Sequence, residues 1–146
     1  MNTYETMNEV LVKLFNDIMI IEEKAIITAN FKNISNNDMH VIEAIGIDKA
    51  KNMTAVAKLL SVTVGTLTIA INNLVKKGYV DRVRSNQDRR VVLISLTKKG
   101  EEAYRHHEKF HYEMIEATLA GLSEEETKVL VHALTNLKDF FYKYKR

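Results

Sequence analysis

The sequence predicts a mostly α-helical fold that contains a single β-hairpin. Apolar residues recur at helical spacing over most of the 146 residues, and the absence of proline favours long, unbroken helices. Between residues 79 and 96 the pattern alternates instead, which is typical of strands. With 46% hydrophobic and 27% charged residues, the composition is that of one globular domain, with or without a dimerisation extension.

The composition also excludes several classes of protein. The chain has no cysteine, so disulfides, thiolate nucleophiles and cysteine metal sites are excluded. No apolar run approaches the ~18 residues that span a bilayer, and the N-terminus does not resemble a signal peptide, so we expect a cytoplasmic protein with no membrane partner. No enzyme is expected, because the sequence has no glycine-rich phosphate loop or HExxH site.

Two helices are predicted before the central motif. The first runs from Met7 to about Ala29, with apolar residues on one face. The second begins after Ser35, a favoured N-cap residue, and ends at Gly46. We assign residues 1–34 to an N-terminal dimerisation helix.

Two short helices joined by a tight turn are predicted next. Thr54 is the expected N-cap of the helix AVAKLL, SVT forms the turn, and Thr63 caps a second helix that ends at Gly78. Ala57 is small enough for the helices to approach closely. The residues expected to lock the pair together are Leu59, Leu60, Leu67, Ile71 and Leu74.

A β-hairpin is predicted directly after this pair. YVDRVR and VVLISL alternate or are β-branched, and the polar stretch SNQDRR separates them. A hairpin of two strands is barely stable alone, so it must pack on the preceding helices. A helix–turn–helix with a two-stranded hairpin behind it is a winged helix, which we assign to residues 35–99.

Residues 100–146 are predicted to form C-terminal dimerisation helices. Thr97 is the expected cap of the first helix, and Ser123 and Glu126 have the spacing of a capping box before the second. A two-fold homodimer would place two reading helices about 34 Å apart, one turn of DNA. The apolar residues expected in the dimer contact are Leu119, Leu122, Val129, Leu130, Leu134, Leu137, Phe140 and Phe141.

The central segment carries a cluster of cations although the formal net charge is only +2. A local cluster of this kind can track a polyanion such as DNA, and a solvated face is the alternative. The second helix of the motif has a small, polar outer face that suits a major groove. The predicted DNA-binding residues are Thr63, Gly65, Thr66, Thr68, Ile69, Asn72, Asn73, Lys76, Arg82, Arg84, Arg89 and Arg90.

The polar hairpin tip is expected to lie beside the adjacent minor groove. A narrow minor groove attracts arginine, so Arg89 or Arg90 is expected to enter it while the other contacts phosphate or pairs with Asp88. The carboxylate of Asp88 would repel phosphate, so we interpret it as an ion-pair partner that holds an arginine in place.

The hairpin sequence resembles one family of regulators. NQDRRVVLISLTKKG is similar to the wing of the MarR family, with Asp88, Arg90, Leu96, Thr97 and Gly100 in matching places. The stretch LLSVTVGTLTIAINNLVKKGYVDR resembles the family's recognition helix and following strand. The resemblance implies a dimeric winged-helix transcription regulator, usually a repressor, that binds a pseudo-palindromic operator in double-stranded DNA. Many members carry a polar residue or arginine where this chain has Ile69, so we expect an apolar contact to thymine methyls there.

A narrower resemblance is to the fatty-acid-synthesis repressors of streptococci and other lactic acid bacteria. HVIEAIG, TLTIAINNLVKKGYV and the wing carry it. It implies operators at fatty-acid biosynthesis genes, and acylated acyl carrier protein as corepressor, with the acyl chain in an apolar tunnel. The residues predicted to line such a ligand pocket are Phe15, Met19, Phe31, Met39, Ile42, Phe110 and Met114.

Two other functions remain open from the sequence. Some MarR relatives sense zinc through His and Glu, and His40, His107 and His111 resemble their ligands, with Glu22 and Glu23 nearby. Otherwise these histidines are solvated or pack between helices, and no metal is bound. The second alternative is a protein-interaction module whose basic hairpin contacts an acidic partner, such as an acyl carrier protein.

Overall fold

The computed structural model describes residues 2–26 and 31–144. The chain divides into two compact units, Met1–Phe110 and His111–Arg146, so both predicted segment boundaries fall inside the first unit. The elements in chain order are α1 (Thr3–Glu9), a π-helical segment (Val10–Leu14), α2 (Phe15–Ile26), α3 (Asn36–Ile45), β1 (Lys51–Asn52), α4 (Met53–Leu60), α5 (Val64–Lys77), β2 (Val80–Arg84), β3 (Val92–Leu96), α6 (Lys98–Leu119) and α7 (Glu124–Tyr142).

The N-terminal helix begins four residues before the predicted start at Met7. Asn2 and Glu5 form a reciprocal capping box, in which Asn2 Oδ1 accepts from the Glu5 N–H at 2.8 Å. The apolar stripe begins only after this cap, which is why periodicity alone placed the start too late. The predicted end near Ala29 lies outside the described residues.

The core of the first unit lies where α3, α4, α5 and the sheet meet. Residues from all of them are fully buried, including Ile42, Val56, Ile71, Leu74 and Ile94. The predicted limits of α3 are confirmed: Ser35 Oγ accepts from the Asp38 N–H at 3.1 Å, and Gly46 ends the helix at φ +72°.

The cap of α4 differs from the prediction. Asn52, and not Thr54, is the N-cap, and its Oδ1 accepts from the Ala55 N–H at 2.7 Å. Asparagine caps as well as threonine does, and here it also ends a strand, so the helix begins two residues earlier. The buried face of α4 carries Val56 and Ala57, whereas Leu59 is 64% exposed. The predicted role of Leu59 in locking the helices is therefore wrong, because the residue lies on the outer side of α4.

The second helix of the pair, α5, has the predicted limits. Ser61 adopts the left-handed conformation at φ +56° and turns the chain, Thr63 Oγ1 then accepts from the Thr66 N–H at 3.1 Å, and Gly78 ends the helix at φ +88°. The inner face of α5 carries Leu67, Ile71 and Leu74, all buried.

The sheet has three antiparallel strands in the order β1-β3-β2, not two. The predicted hairpin is present, with Val80 opposite Leu96 and Arg84 opposite Val92. The additional strand pairs Lys51 with Ile94. Two residues are too few to show an alternating pattern, so no sequence signal marked β1. The third strand covers the outer edge of β3 and anchors the hairpin to the start of α4.

A close approach between backbones joins the hairpin to α6. The Thr97 N–H donates to the Tyr79 carbonyl at 3.0 Å, and Thr97 Oγ1 donates to the Gly78 carbonyl at 2.6 Å. Thr97 Oγ1 also accepts from the Gly100 N–H at 3.1 Å, as expected of a helix cap. A Cβ at Gly100 would lie 2.1 Å from the Tyr79 carbonyl oxygen, so only glycine fits here.

The second unit consists of the end of α6 and the helix α7. Gly121 turns the chain at φ +80°, and the predicted capping box of Ser123 and Glu126 is present, with N···O distances of 3.1 Å in both directions. The hydrogen bonds between Glu126 and Ser123 hold the pKa of Glu126 below its usual value. None of residues 111–144 is buried within the single chain.

Among the described residues, no helix by itself has the length and apolar character to cross a bilayer. The pair α4 and α5 meets these criteria only jointly, across a bend of 104°.

Candidate nucleic-acid interface

The outer face of α5 carries most of the predicted DNA-binding residues. Most of its exposed side chains are small, polar or cationic, and two exposed apolar residues, Val64 at 43% and Ile69 at 75%, lie among them. Thr68 is half-buried and donates from Oγ1 to the Val64 carbonyl at 2.8 Å. The exposed residues of the predicted set on or capping α5 are Thr63, Gly65, Thr66, Ile69, Asn72, Asn73 and Lys76.

Two arginines of β2 lie on the same side of the sheet as α5. Side chains two apart on a strand share a face, so Arg82 and Arg84 lie on the same face of β2 as Val80, which is buried against the core. Toward the hairpin tip this face becomes exposed. There Arg82 Nη1 donates a hydrogen bond to Asn72 Oδ1, which links the strand directly to the exposed face of α5.

The hairpin tip holds one arginine in a fixed position. Arg90 donates to Asp88 through Nε and Nη2, each at 3.1 Å, and through its backbone N–H at 3.1 Å. These hydrogen bonds keep the pKa of Asp88 below its usual value. The Arg90 side chain is nonetheless 90% exposed. The structure thus places Asp88 in an ion pair, with Arg90 as its partner.

Further hydrogen bonds brace the tip from inside. Arg84 Nη1 donates to the Arg89 carbonyl at 2.9 Å, and Ser85 Oγ accepts from the backbone N–H groups of Gln87 and Asp88 at 3.2 and 3.4 Å. Arg84 therefore spans the tip. The Arg89 side chain is exposed.

A concave surface of about 680 Å³ joins the hairpin to the helix pair. Its walls include Thr68 of α5 and three cations, Lys58, Arg82 and Arg90. The reading helix and the hairpin arginine thus share one basic groove, as an interface with a polyanion requires. Sequence reasoning did not include Lys58. The signal was available, because the buried positions of α4 leave Lys58 on the outer side.

A polar cluster supports α5 from behind. Lys77 Nζ lies 2.8 Å from Asp38 Oδ2, and the Asp38 side chain is 6% exposed. Tyr79 donates from its hydroxyl to Asn33 Oδ1 at 2.9 Å, and Lys99 Nζ lies 4.5 Å from the centre of its ring. Burial, and secondarily the negative charge of Asp38, raise the pKa of Tyr79. This cluster ties the C-terminal end of α5 to the start of α3.

The residues predicted to line a ligand pocket do not share one environment. Phe31, Met39 and Ile42 belong to the packed core of the first unit, and Phe15 and Met19 lie on the exposed face of α2. Phe110 is half-buried, and Met114 is exposed in the second unit. None of the seven lines the basic groove described above. The ligand pocket stays a prediction.

The three histidines proposed as metal ligands also differ in surroundings. His40 is exposed on α3, and His111 is half-buried in the second unit. His107 is buried in the first unit, where its Nε2 lies 3.3 Å from Glu22 Oε1 and also contacts Glu43 Oε1. The metal site stays a prediction.

The helix pair, the short third strand and the arginine-bearing hairpin define a class of protein. They form a winged helix–turn–helix module whose reading helix and wing face the same side, as in DNA-binding proteins. The model of the family "Transcriptional regulator SarA/Rot" matches residues 24–106. The chain belongs to the SarA/Rot family of transcriptional regulators.

Solved structures of other regulators share this fold. Streptococcus pneumoniae FabT, solved in complex with DNA, is 45% identical, with a TM-score of 0.86 over 97% of this chain and 99% of that one. A MarR transcriptional regulator from Methanosarcina mazei Go1 shares the fold, at 22% identity and a TM-score of 0.68 over 96% and 99%. The chain therefore has the fold of MarR-type winged-helix regulators, and it resembles FabT over nearly its whole length.

A curated relative covers a shorter segment. The HTH-type transcriptional regulator YpoP of Bacillus subtilis is 31% identical over 75 residues, which are 51% of this chain and 53% of YpoP. The match therefore spans about half the length of that relative. The relatives are transcriptional regulators and not enzymes, in agreement with the expectation from the sequence.

Proposed function

We propose that this protein is a homodimeric repressor that binds a pseudo-palindromic operator at fatty-acid biosynthesis genes, with acylated acyl carrier protein as corepressor. The observation that carries DNA binding is the basic groove shared by α5 and the hairpin, with Arg90 held by Asp88. In this proposal the exposed face of α5 reads the major groove, and the hairpin tip lies at the minor groove.

Arg90 is the arginine that we place in the minor groove. Its guanidinium is oriented by the two hydrogen bonds that it donates to the Asp88 carboxylate, and it still projects into solvent. Arg89, whose carbonyl accepts from Arg84, then has its side chain available for a backbone phosphate. The sequence left these two assignments open, and the tip geometry favours this one.

The homodimer is supported by the apolar surface that the single chain exposes. In the second unit Val129, Leu134, Phe140 and Phe141 are each about half exposed or more. In the first unit one run of α1 to α2 is exposed and apolar, including Met7, Leu14, Phe15, Met19 and Ile21. Monomeric proteins rarely expose apolar surface on this scale, and a two-fold dimer would give each half of a palindrome one reading helix.

The fatty-acid regulon and the corepressor are supported by the similarity to FabT over nearly the whole chain. An acyl carrier protein is acidic, so it suits a chain with a strong local basic surface. The corepressor would act by favouring the dimer conformation in which the spacing of the reading helices fits the operator.

The test is a binding measurement with the purified full chain. Duplexes are selected from a randomised pool, and the affinity for the selected operator is measured by fluorescence anisotropy against salt concentration. Arg90→Ala should weaken binding at least about tenfold and reduce the salt slope by about one. Glu108→Ala, which changes an exposed residue of α6, is the control and should leave both quantities unchanged.

The corepressor is tested in the same assay. Acyl carrier protein that carries a long acyl chain should tighten operator binding several-fold, whereas acyl carrier protein without an acyl chain should not. Failure of the wild-type chain to select any sequence at physiological salt would refute the DNA-binding proposal. Selection without a response to acyl carrier protein would refute only the corepressor.

A zinc-responsive regulator is the second candidate, favoured by the position of His107. An imidazole nitrogen and a carboxylate oxygen are ligand types that zinc takes, and His107 Nε2 lies 3.3 Å from Glu22 Oε1. Titration with zinc alone, followed by calorimetry, should give binding that His107→Ala abolishes. Equal binding by wild type and His107→Ala would refute a site at this position.

A further inference from the structure

The hydrogen bond between Arg82 and Asn72 connects two exposed residues of separate elements. Asn72 lies on the outer face of α5, and Arg82 lies in the middle of β2. Arg82 is paired with Ile94, which is fully buried and itself pairs with Lys51 on its other side. The backbone from which Arg82 projects is therefore held within a three-stranded sheet, and its guanidinium reaches the helix from a fixed base.

The chemistry of the two groups sets which end of the Asn72 amide faces Arg82. A guanidinium has five N–H donors and no acceptor. Only Oδ1 of the amide can accept, and Arg82 Nη1 donates to that atom. The contact therefore distinguishes the two ends of a side chain that would otherwise rotate by half a turn, and it leaves the two N–H donors of Nδ2 for another acceptor.

We propose that Arg82 is a positioning residue that fixes the orientation of the Asn72 amide, so that α5 presents a hydrogen-bond donor to the major groove. The inference rests on the proposed DNA binding and refines it. An unbraced asparagine can turn either end of its amide to a base edge. A braced one offers its NH2 group to purine N7, guanine O6 or thymine O4, and it disfavours an edge that presents only the cytosine amino group.

This assignment changes the expected role of Arg82. A cation that contacts phosphate contributes affinity to every sequence and raises the salt dependence. A cation that orients a base-reading side chain contributes at one base pair of each half-site. The two roles therefore differ in an observable way.

The test compares the base preferences of variants of the full chain. Duplexes are selected from a randomised pool with the wild type, Arg82→Met, Arg82→Lys, Asn72→Ala and the double variant with both Arg82→Met and Asn72→Ala, and the bound pools are sequenced. Arg82→Met and Asn72→Ala should each lose preference at the same base pair, by about five- to tenfold. The double variant should lose no more than Asn72→Ala alone, because Arg82 acts through Asn72.

Matched controls separate positioning from charge. Lys76→Met removes an exposed cation from the same helix and should weaken all sequences alike, with unchanged base preferences. Asn73→Ala removes the neighbouring amide and should leave the preference at the Asn72 base pair intact. Arg82→Lys keeps the positive charge but not the planar fork, so it should lose much of the preference while it keeps the salt slope. If Arg82→Met does not fold, Arg82→Lys provides the comparison of base preferences with the wild type.

Two results would overturn the inference. One is uniform weakening of all sequences by Arg82→Met, with a salt slope lower by about one and unchanged preferences, since that identifies a phosphate contact. The other is an unchanged preference in Asn72→Ala. If the wild-type chain selects no sequence at all, the proposed function fails instead, and that result is distinct from both.

Discussion

Replacing Gly100 by alanine tests the packing between the hairpin and α6. Gly100 lies in the first turn of α6, where alanine normally stabilises a helix by about 1 kcal/mol relative to glycine. An added Cβ would meet the Tyr79 carbonyl oxygen at 2.1 Å and Leu96 Cβ at 3.2 Å. Helix propensity and steric contact therefore predict opposite signs for the same substitution.

The steric contact is expected to dominate. The Tyr79 carbonyl belongs to the backbone and accepts the Thr97 N–H at 3.0 Å, so it cannot turn aside as a side chain would. Over-packing costs about 1–3 kcal/mol, and distortion of the Tyr79–Thr97 hydrogen bond adds about 1 kcal/mol. After the gain in helix propensity of about 1 kcal/mol, Gly100→Ala should lower the free energy of unfolding by about 1–3 kcal/mol.

Thermal and urea unfolding followed by circular dichroism measure this change. The midpoint temperature should fall by about 3–10 °C, using the usual entropy of unfolding for a chain of this size. Gly65→Ala is the matched control, because Gly65 is also helical and a Cβ there would have Thr63 Oγ1 at 3.9 Å as its nearest neighbour. It should leave stability unchanged or raise it by about 0.5 kcal/mol. Equal or greater stability of Gly100→Ala would refute the close approach between hairpin and α6.

Three further predictions concern charge. Asp88→Asn should release Arg90 and lower operator affinity, measured by fluorescence anisotropy, about fivefold. Binding to unrelated duplex DNA should stay the same or tighten, because a negative charge is lost. Unchanged operator affinity would contradict the role of the ion pair. The pKa of Tyr79 is raised in the folded state, so its contribution to stability is complete below pH 10.0 and is lost as the pH rises through the folded-state pKa. In urea unfolding, the free energy of unfolding should therefore fall more at alkaline pH for the wild type than for Tyr79→Phe. Equal losses in the two proteins would contradict this contribution of Tyr79. Lys77→Met should leave the buried carboxylate of Asp38 without its cation and lower the free energy of unfolding in urea by about 2–3 kcal/mol. The double variant with Lys77→Met and Asp38→Asn should regain part of this stability. A loss below about 0.5 kcal/mol in Lys77→Met would show that the pair is not stabilising.

Most of the fold could be predicted because its signals are local. The caps at Ser35, Thr63 and Ser123 follow from residue type and spacing, and the structure has all three. The glycine that ends α5, Gly78, is likewise readable, since its φ of +88° suits glycine. Each of these features depends on a few neighbouring residues, which a sequence shows directly.

The features that were missed depend on contacts between distant residues. The strand β1 exists only because Lys51 pairs with Ile94, and two residues carry no period of their own. Its presence moved the cap of α4 to Asn52. The sequence also placed Leu59 in the core, because leucine is usually buried, whereas the geometry of a helix of eight residues leaves it outside.

The site was predicted as a set of residue types but not as an arrangement. Spacing placed Asn72 on the outer face of α5 and Arg82 in the hairpin, yet nothing in the sequence indicated that they form a hydrogen bond. The partner of Asp88 stayed open between two adjacent arginines until the geometry of the turn selected Arg90. Side-chain pairing across elements follows from tertiary structure, so one sequence does not determine it.

The bracing of the hairpin tip has a consequence for the speed and strength of binding. Arg84, Ser85 and Asp88 restrict the tip through hydrogen bonds made within the chain itself. Conformational freedom that is given up during folding is not given up again on meeting a ligand. A hairpin tip that already has its bound conformation should bind DNA in one step. Its affinity for DNA should then depend little on rearrangement, and its association rate should depend chiefly on charge.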